Sequence, residues 1–359
     1  MRAGGGLALS ALAGCGGEGA EYSRRVAETW RLGEAGSGQP AGGQALAREL
    51  VRCATLAPSS HNTQCWRFRL EEKAITVLPD FTRRCPVVDP DDHHLFVSLG
   101  CAAENLMLAA AAHGLRAEAS FVAAEGAFRV ALSPAKAVAS PLYGAIPARQ
   151  STRAEFDGKP LTAEELALLE QAVAGTGVEM LLITDGDGVE QVLEFALEAN
   201  SAQVADAAFT DELESWLRFS EADALARGDG LYAASTGNPA LPAWLGQPLF
   251  RLFFREGAEN DKLARQVRSS AGVAVFVGPG QGPEAWLAVG RAFERFALQA
   301  TVLGVRTAHL NQPVEVAEVR PDFAEALGLA GERPDLVVRF GRGPLMPRAL
   351  RRPLEAVVV

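Results

Sequence analysis

A helical segment that occurs twice limits the possible folds of this chain more than any other feature. Residues 99–115 and 289–305 align in register, and Gly, Ala, Glu, Leu, Ala and Gly recur 190 positions apart. Both segments carry apolar residues at helical spacing and stop at a glycine, which is typical of a buried helix. Chance similarity of two Ala-rich helices is one explanation. A true repeat predicts two tandem halves that pack as an intramolecular pseudo-dimer.

The composition excludes several classes of protein. Hydrophobic residues make up 48% of the 359 positions and charged residues 22%, which is typical of a globular chain. The net charge of -10 opposes binding to a phosphate backbone, so nucleic acid is not expected as a partner. The five cysteines include no C-x-x-C pair, so neither a disulfide framework nor a zinc ribbon is indicated.

Local patterns predict strands, helices and one insertion. Short apolar or alternating runs predict strands at 66–70, 74–78, 128–132, 180–184, 272–277 and 336–340. Thr162 and Glu165 have the spacing of a capping box, which predicts that a helix begins there. Residues near 188–268 combine helical runs with turn-forming glycines, and we interpret them as an insertion that covers another part of the molecule.

The N-terminal residues 1–15, MRAGGGLALSALAGC, are built like an export signal. Leu12-Ala13-Gly14-Cys15 is similar to the lipobox of bacterial lipoproteins, which predicts a lipid anchor at Cys15 and a location in the cell envelope. The alternative is a disordered leader on a cytoplasmic protein. We divide the chain into a leader and flexible tether at 1–20, a first half at 21–145, and a second half at 146–359 that contains the insertion.

Two polar clusters are the candidates for chemistry. The first lies in a predicted loop between a helix at 45–56 and the strand at 66–70, and it contains Pro58, Ser59, Ser60, Asn62, Gln64 and Trp66. In the second, Arg149, Ser151 and Arg153 alternate, so an extended segment would point all three to one side. Guanidinium groups match paired phosphate oxygens, so this segment predicts a phosphate site. A solvated charged linker is the alternative.

Together, the two clusters resemble motifs of the nitroreductase family of FMN enzymes. In that family an Arg-x-Ser-x-Arg segment holds the FMN phosphate and ribityl chain, and a Pro-Ser-x-x-Asn-x-Gln-Pro-Trp loop lies against the isoalloxazine ring. The resemblance implies a three-layer α+β fold with FMN as the cofactor. The cofactor-binding residues that it implies are Pro58, Ser59, Ser60, Asn62, Gln64, Arg149, Ser151, Arg153, Leu310, Asn311, Arg351 and Arg352.

The order of the motifs is similar to that in the twin-domain, Acg-type branch of the family. Cys65 stands where the family has proline, so the loop lacks one φ constraint. Because each half contains only one of the two motifs, the resemblance implies a single flavin site. Asp91, Asp92, His93 and His94 are consecutive, so their side chains would diverge at a helix start, and no metal site is expected.

The resemblance implies electron transfer from NAD(P)H through FMN to a nitroaromatic or quinone-like acceptor. It also implies a monomer that contains its pseudo-dimer within one chain. No catalytic acid or base is identified from the sequence. A flavin-sequestering protein, in which the insertion closes over the ring and excludes substrates, is the first alternative. An envelope lipoprotein that kept the fold without the cofactor is the second.

Overall fold

Two antiparallel sheets with the same strand order form the framework of the part of the chain that the structure describes. The computed structural model describes residues 15–33, 43–329 and 331–359. The first sheet has the order β1-β2-β4-β3 and consists of β1 (Trp66–Glu71), β2 (Ala74–Pro79), β3 (Leu115–Val122) and β4 (Ala127–Pro134). The second has the order β5-β8-β10-β9 and consists of β5 (Glu179–Ile183), β8 (Gly272–Val277), β9 (Arg306–His309) and β10 (Pro334–Gly341).

Helices surround the sheets, so the predicted α+β class is confirmed. They are α1 (Cys15–Thr29), α2 (Gly43–Ala54), α3 (His93–Ala112), α4 (Pro141–Ala145), α5 (Ala163–Val173), α6 (Gly186–Ala205), α7 (Ala207–Trp216), α8 (Glu221–Arg227), α9 (Ala243–Phe253), α10 (Glu256–Arg268), α11 (Pro283–Val302), α12 (Gln312–Glu315) and α13 (Arg320–Ala326). The predicted capping box forms at the start of α5, where the Thr162 hydroxyl accepts from the Glu165 amide and the Glu165 carboxylate accepts from the Thr162 amide.

The two similar segments identified in the sequence are α3 and α11, and they pack directly against each other. Each helix connects the second and third strands of its own sheet in chain order. A Cβ on Gly100 would lie 2.1 Å from the Leu287 carbonyl oxygen, and one on Gly290 would lie 1.9 Å from the Val97 carbonyl oxygen. Only glycine permits this approach at the two aligned positions. The matching topology supports a duplicated unit, while the boundary between residues 145 and 146 stays a prediction.

Among the described residues, α3 is long and apolar enough to cross a membrane. In the structure 83% of its most apolar window is buried, between α11 and the first sheet. The hydrophobicity of α3 is therefore accounted for by the protein core. The same core contains Leu99 from α3 and Phe293 and Phe296 from α11.

The second half carries an insertion where the first half has a tight turn. Helices α6 to α10 and the short strands β6 (Leu217–Arg218) and β7 (Leu231–Tyr232) lie between β5 and β8, whereas β1 and β2 are joined by a turn after Glu71. Aromatic side chains pack within the insertion, with ring centroids 6.3 Å apart for Phe219 and Phe250 and 4.8 Å apart for Phe250 and Phe254. The insertion thus has a small aromatic cluster of its own.

The N-terminal region differs in part from the expectation. Residues 16–19, expected as a flexible tether, belong to helix α1. This helix is held because the Tyr22 ring lies 4.9 Å from the Tyr232 ring and the Tyr22 hydroxyl donates to the Arg348 carbonyl over 2.6 Å. The predicted signal at residues 1–14 lies outside the described residues, so export and the lipid anchor stay predictions.

Candidate functional site

The loop that precedes β1 holds three residues in the left-handed backbone region. The φ angles of His61, Asn62 and Gln64 are 48°, 53° and 54°. Residues with a side chain rarely adopt such angles, which cost free energy unless surrounding contacts enforce them. Here the Asn62 amide group donates to the Gly230 carbonyl over 2.9 Å and to the Leu350 carbonyl over 3.2 Å. The insertion and the C-terminal segment therefore fix the loop from two sides.

Three of the predicted cofactor-binding residues line neither of the two cavities of the candidate site. The Gln64 amide donates to the Gly228 carbonyl over 2.9 Å, and its oxygen accepts from the Arg352 amide over 2.7 Å. The Arg352 side chain donates to the backbone of Gln64 and Ala356. Leu310 is buried in the core beside the insertion. These residues therefore stabilise the positions of the loop, the C-terminal segment and β9.

The two predicted polar clusters meet at a small pocket of about 90 Å³. Arg149, Ser151 and Arg153 all line it, as the predicted extended segment requires. The predicted residues Pro58, Ser59, Asn62 and Arg351 also line this pocket, together with Arg348, which was not predicted. Asn62, which the resemblance places against the flavin ring, therefore lies beside the arginines of the phosphate motif.

The arginines of the small pocket differ in how many of their hydrogen-bond donors already bind acceptors of the protein. The Arg351 guanidinium donates to the carbonyls of Thr55, Leu56 and Ala57, which follow α2, and stacks 4.6 Å from the Trp30 ring centroid. In contrast, the Arg153 guanidinium has no hydrogen-bond or ion-pair partner among the residues that the structure describes. Burial lowers the pKa of Arg153. A partly buried cation without a protein partner favours binding of an anion.

Arg149 is the second arginine with unused donors. Its Nη2 donates to the Leu56 carbonyl over 3.1 Å, but Nε and Nη1 have no hydrogen-bond partner among the described atoms. The Nε atom lies 3.4 Å from Glu294 Oε1, close enough for attraction but without hydrogen-bond geometry. Burial raises the pKa of Glu294 to about 7. Because this carboxyl is only partly ionised near neutral pH, Arg149 is incompletely neutralised.

A larger cavity of about 550 Å³ adjoins the small pocket. The two share Pro58, Ser59, Arg153, Leu231 and His309, so Arg153 lies where they join. The predicted residues Ser60 and Asn311 line only the larger cavity. Over half of its lining residues come from the insertion, and the aromatic ones are Phe209, Phe219, Phe250, Phe253 and Phe254. The site thus combines a cationic end with a chamber that is lined in part by aromatic rings.

Two histidines of the cavity were not predicted as site residues. Burial, reinforced by the positive charge of Arg153, lowers the pKa of His61 to about 4 and that of His309 to about 3. Both rings are therefore neutral at pH 7 and can accept or donate one hydrogen bond. His309 Nδ1 is buried without a partner in the described structure. His61 lies within the polar loop cluster of the sequence but was not selected from it, and no local pattern marked His309. The environment of both rings depends on how distant segments pack.

The side chains of the Asp91 to His94 segment contact different parts of the protein. Asp91 pairs with Arg333 over 2.7 Å, His93 Nε2 lies 2.9 Å from Asp335, and His94 Nε2 lies 3.6 Å from Glu315. The side chains therefore face three different partners. Within residues 15–33, 43–329 and 331–359, no group of three or more His, Cys, Asp or Glu side chains is arranged to hold a metal ion.

Sequence comparison finds relatives that are named as nitroreductases. The chain is 27% identical over 329 residues to "Putative NAD(P)H nitroreductase Rv3131" of Mycobacterium tuberculosis strain H37Rv, and the alignment covers 87% of this chain and 90% of that protein. A second relative, "Putative NAD(P)H nitroreductase MT3217" of strain CDC 1551, matches with the same values. No family model matches the chain. The sequence similarity to both relatives extends over most of the chain.

Among solved structures, the chain is similar to the FMN-dependent nitroreductase NfnB from Mycobacterium smegmatis in complex with NADPH. The identity is 15% and the TM-score 0.39, and the match covers 58% of this chain and 94% of that one. A nitroreductase with bound FMN from Bacteroides fragilis has 15% identity and a TM-score of 0.37, covering 59% of this chain and 95% of that one.

Proposed function

We propose that this protein is an FMN-binding oxidoreductase of the nitroreductase type, which transfers electrons from NAD(P)H to a nitroaromatic or quinone-like acceptor. The observation that best supports it is the unpaired Arg153 guanidinium at the junction of the small cationic pocket and the large apolar cavity. FMN carries an anionic phosphate at one end and a planar aromatic ring at the other. The two joined cavities match these two chemistries.

The chain's own residues would bind and orient the cofactor. Arg149, Ser151 and Arg153 would hold the phosphate, because all three line the small pocket and Arg149 retains two buried donors without a partner among the described atoms. Ser59 and Ser60 would lie beside the ring. Bound FMN would supply the redox chemistry. The aromatic side chains of the insertion would exclude water from the chamber, as efficient hydride transfer requires.

The twin-domain, Acg-type branch is part of this proposal. It rests on the matching order of the strands in the two sheets and on the contact between Gly100 and Gly290. The same features support a monomer, because the pseudo-dimer is built within one chain. From the sequence alone we further propose export and a lipid anchor at Cys15, with a cytoplasmic protein as the alternative. Mass spectrometry of the mature N-terminus tests the anchor.

Flavin sequestration is a second candidate function, and the insertion is the observation that favours it. The whole insertion, with its helices, short strands and loops, contributes over half of the cavity lining and would cover a bound flavin. A substrate could then reach the cofactor only if the insertion moved.

The visible spectrum of the purified protein, before and after anaerobic addition of NADPH or NADH, separates these functions. The proposed oxidoreductase shows the absorption bands of oxidised FMN and loses them when the nicotinamide is added. Flavin that is bound but stays oxidised indicates sequestration. A protein that takes up no FMN even after incubation with the free cofactor contradicts both functions.

A further inference from the structure

The large cavity has a second polar region, separate in composition from the cationic junction at Arg153. It is formed by side chains from α3, α6 and α12, and its cavity-lining members are His94, Gln203, Gln312 and Glu315. His94, Gln203 and Glu315 belong to none of the nitroreductase motifs, and Gln312 directly follows the predicted Leu310 and Asn311. The mechanism proposed above also leaves them without a role, although it lacks a proton donor.

Glu315 is the acidic group of this region, and its position is fixed by two neighbours. The Gln203 amide donates to Glu315 Oε2 over 2.8 Å, and His94 Nε2 lies 3.6 Å from Glu315 Oε1. No arginine or lysine side chain forms an ion pair with Glu315 within the described part of the chain. The side chain is 17% exposed, and it lines the cavity, so a molecule bound there can touch the carboxyl group.

The surroundings of Glu315 favour its protonated form. Burial raises the pKa of Glu315 to about 7, and the negative charges of Asp89 and Glu212 act in the same direction. The Gln203 hydrogen bond and the positive charge of Arg320 act in the opposite direction. His94, which faces the carboxyl from α3, is neutral because burial lowers its pKa well below the usual value. The carboxyl can therefore hold and release a proton near neutral pH.

Further polar groups connect this region to the surface. The His93 and His94 rings lie 4.5 Å apart, and His93 Nε2 lies 2.9 Å from Asp335. The Nδ1 atoms of both histidines and the amide oxygen of Gln312 are buried without a partner in the described structure, which leaves sites for bound water. Arg333 lies 4.0 Å from Asp335 and 2.7 Å from the partly exposed Asp91.

We propose that Glu315 is a catalytic proton donor to the acceptor in the cavity, and that Gln203 and His94 are its positioning residues. This inference rests on the proposed function. Two-electron reduction of a quinone-like acceptor needs one hydride, supplied by the reduced flavin, and one proton. Glu315 gives that proton to the acceptor oxygen, so the carboxyl O–H bond breaks and an acceptor O–H bond forms. Solvent then returns a proton to the carboxylate through the His93 and His94 region.

The test compares Glu315→Gln with Glu318→Gln, an exposed carboxyl three positions further along the chain. Two electron acceptors are used with FMN-loaded protein and NADPH. Reduction of 1,4-benzoquinone requires protons, whereas reduction of ferricyanide does not. We expect the quinone rate of Glu315→Gln at pH 7 to fall by about 100-fold or more. The ferricyanide rate should be unchanged, and Glu318→Gln should match the native protein with both acceptors.

The native quinone rate should also decline as the pH rises through about 7, where Glu315 loses its proton, and this decline should be absent in Glu315→Gln. Infrared spectroscopy of the protein without added FMN gives a readout independent of activity. A carboxylic-acid C=O band that titrates in this pH range should appear in the difference spectrum of the native protein minus Glu315→Gln, because the band of Glu294 is common to both proteins.

Three results would overturn the proton-donor role: an unchanged quinone rate in Glu315→Gln, an equal loss with both acceptors, or a native infrared band identical to that of the variant. The first and third leave the proposed function intact. A native protein that binds no FMN overturns the proposed function and the donor role together, so the two failures are distinguishable.

Discussion

Arg149 and Glu294 face each other at 3.4 Å in the protein interior, yet the two side chains do not form a hydrogen bond. Glu294 occupies the same place in the repeated helix as Glu104, which forms ion pairs of 3.0 Å with both Arg291 and Arg295. The two equivalent positions of the repeated helix therefore have different environments. One glutamate is fully paired, and the other lies beside the small pocket without a hydrogen-bond donor.

Replacing Glu294 by glutamine should change how stability depends on pH. Burial raises the pKa of Glu294 from 4.5 to about 7, so the folded protein binds its proton more tightly than the unfolded chain. The stability from this group is complete below pH 4.5 and is lost as pH rises through about 7. In Glu294→Gln this loss is absent, so the variant should gain about 1 to 3 kcal/mol relative to native between pH 5 and 8.

Urea unfolding of both proteins across this pH range measures the difference. A Glu104→Gln variant serves as the control for the same substitution at the repeated position, where removing a paired charge should destabilise the protein. Parallel pH profiles for native protein and Glu294→Gln would contradict the account of this buried pair.

Gly290→Ala should destabilise the protein because the contact between α3 and α11 leaves no room for a methyl group. The added Cβ would lie 1.9 Å from the Val97 carbonyl oxygen, which belongs to the backbone and cannot move alone. We expect a loss of about 1 to 3 kcal/mol or more in the free energy of unfolding.

Thermal unfolding provides the measurement, and Gly144→Ala in α4 is the matched control, because nothing lies within 4 Å of a Cβ there. A Gly290→Ala protein as stable as the control would show that the two helices do not approach as closely as described.

Asn62 combines an unusual backbone conformation with two hydrogen bonds, and a pair of variants separates them. Asn62→Gly removes the bonds to Gly230 and Leu350 but tolerates the φ angle of 53°. Asn62→Ala loses the bonds and also strains the backbone, so it should be less stable than Asn62→Gly by about 1 kcal/mol. Chemical denaturation of both variants tests this, and the reverse order of stability would mean that the loop is not held in the left-handed region.

All six strands predicted from the sequence are present, because each contains a run of branched or aromatic residues. The prediction missed β3 and β9 of the two main sheets, and also the two-residue strands β6 and β7 of the insertion. In β3 the inward positions include Ala117 and Ala119, whose small side chains give a weak hydrophobic signal. The four residues of β9 contain no apolar run at all. Its place in the sheet comes from pairing with β10, which is a long-range contact.

The candidate site was only partly predictable, for a similar reason. Motif spacing identified the loop at Pro58 and the alternating Arg149 and Arg153, and these segments do line a common pocket. His309 and Glu315 gave no such signal, since their altered ionisation arises from burial beneath the insertion. Leu310 was selected as part of a motif, but its side chain packs in the core.

The central claim is that the unpaired Arg153 guanidinium, at the junction of the two cavities, binds the phosphate of FMN. Comparing the FMN affinity of the native protein with that of Arg153→Ala tests this claim. Isothermal titration of the cofactor-free proteins measures this affinity, with the exposed Arg227→Ala as the control. We expect Arg153→Ala to bind FMN more weakly by about 1.5 to 3 kcal/mol, or about 10- to 100-fold, and Arg227→Ala to match the native protein. Equal FMN affinities for Arg153→Ala and the native protein would contradict the account.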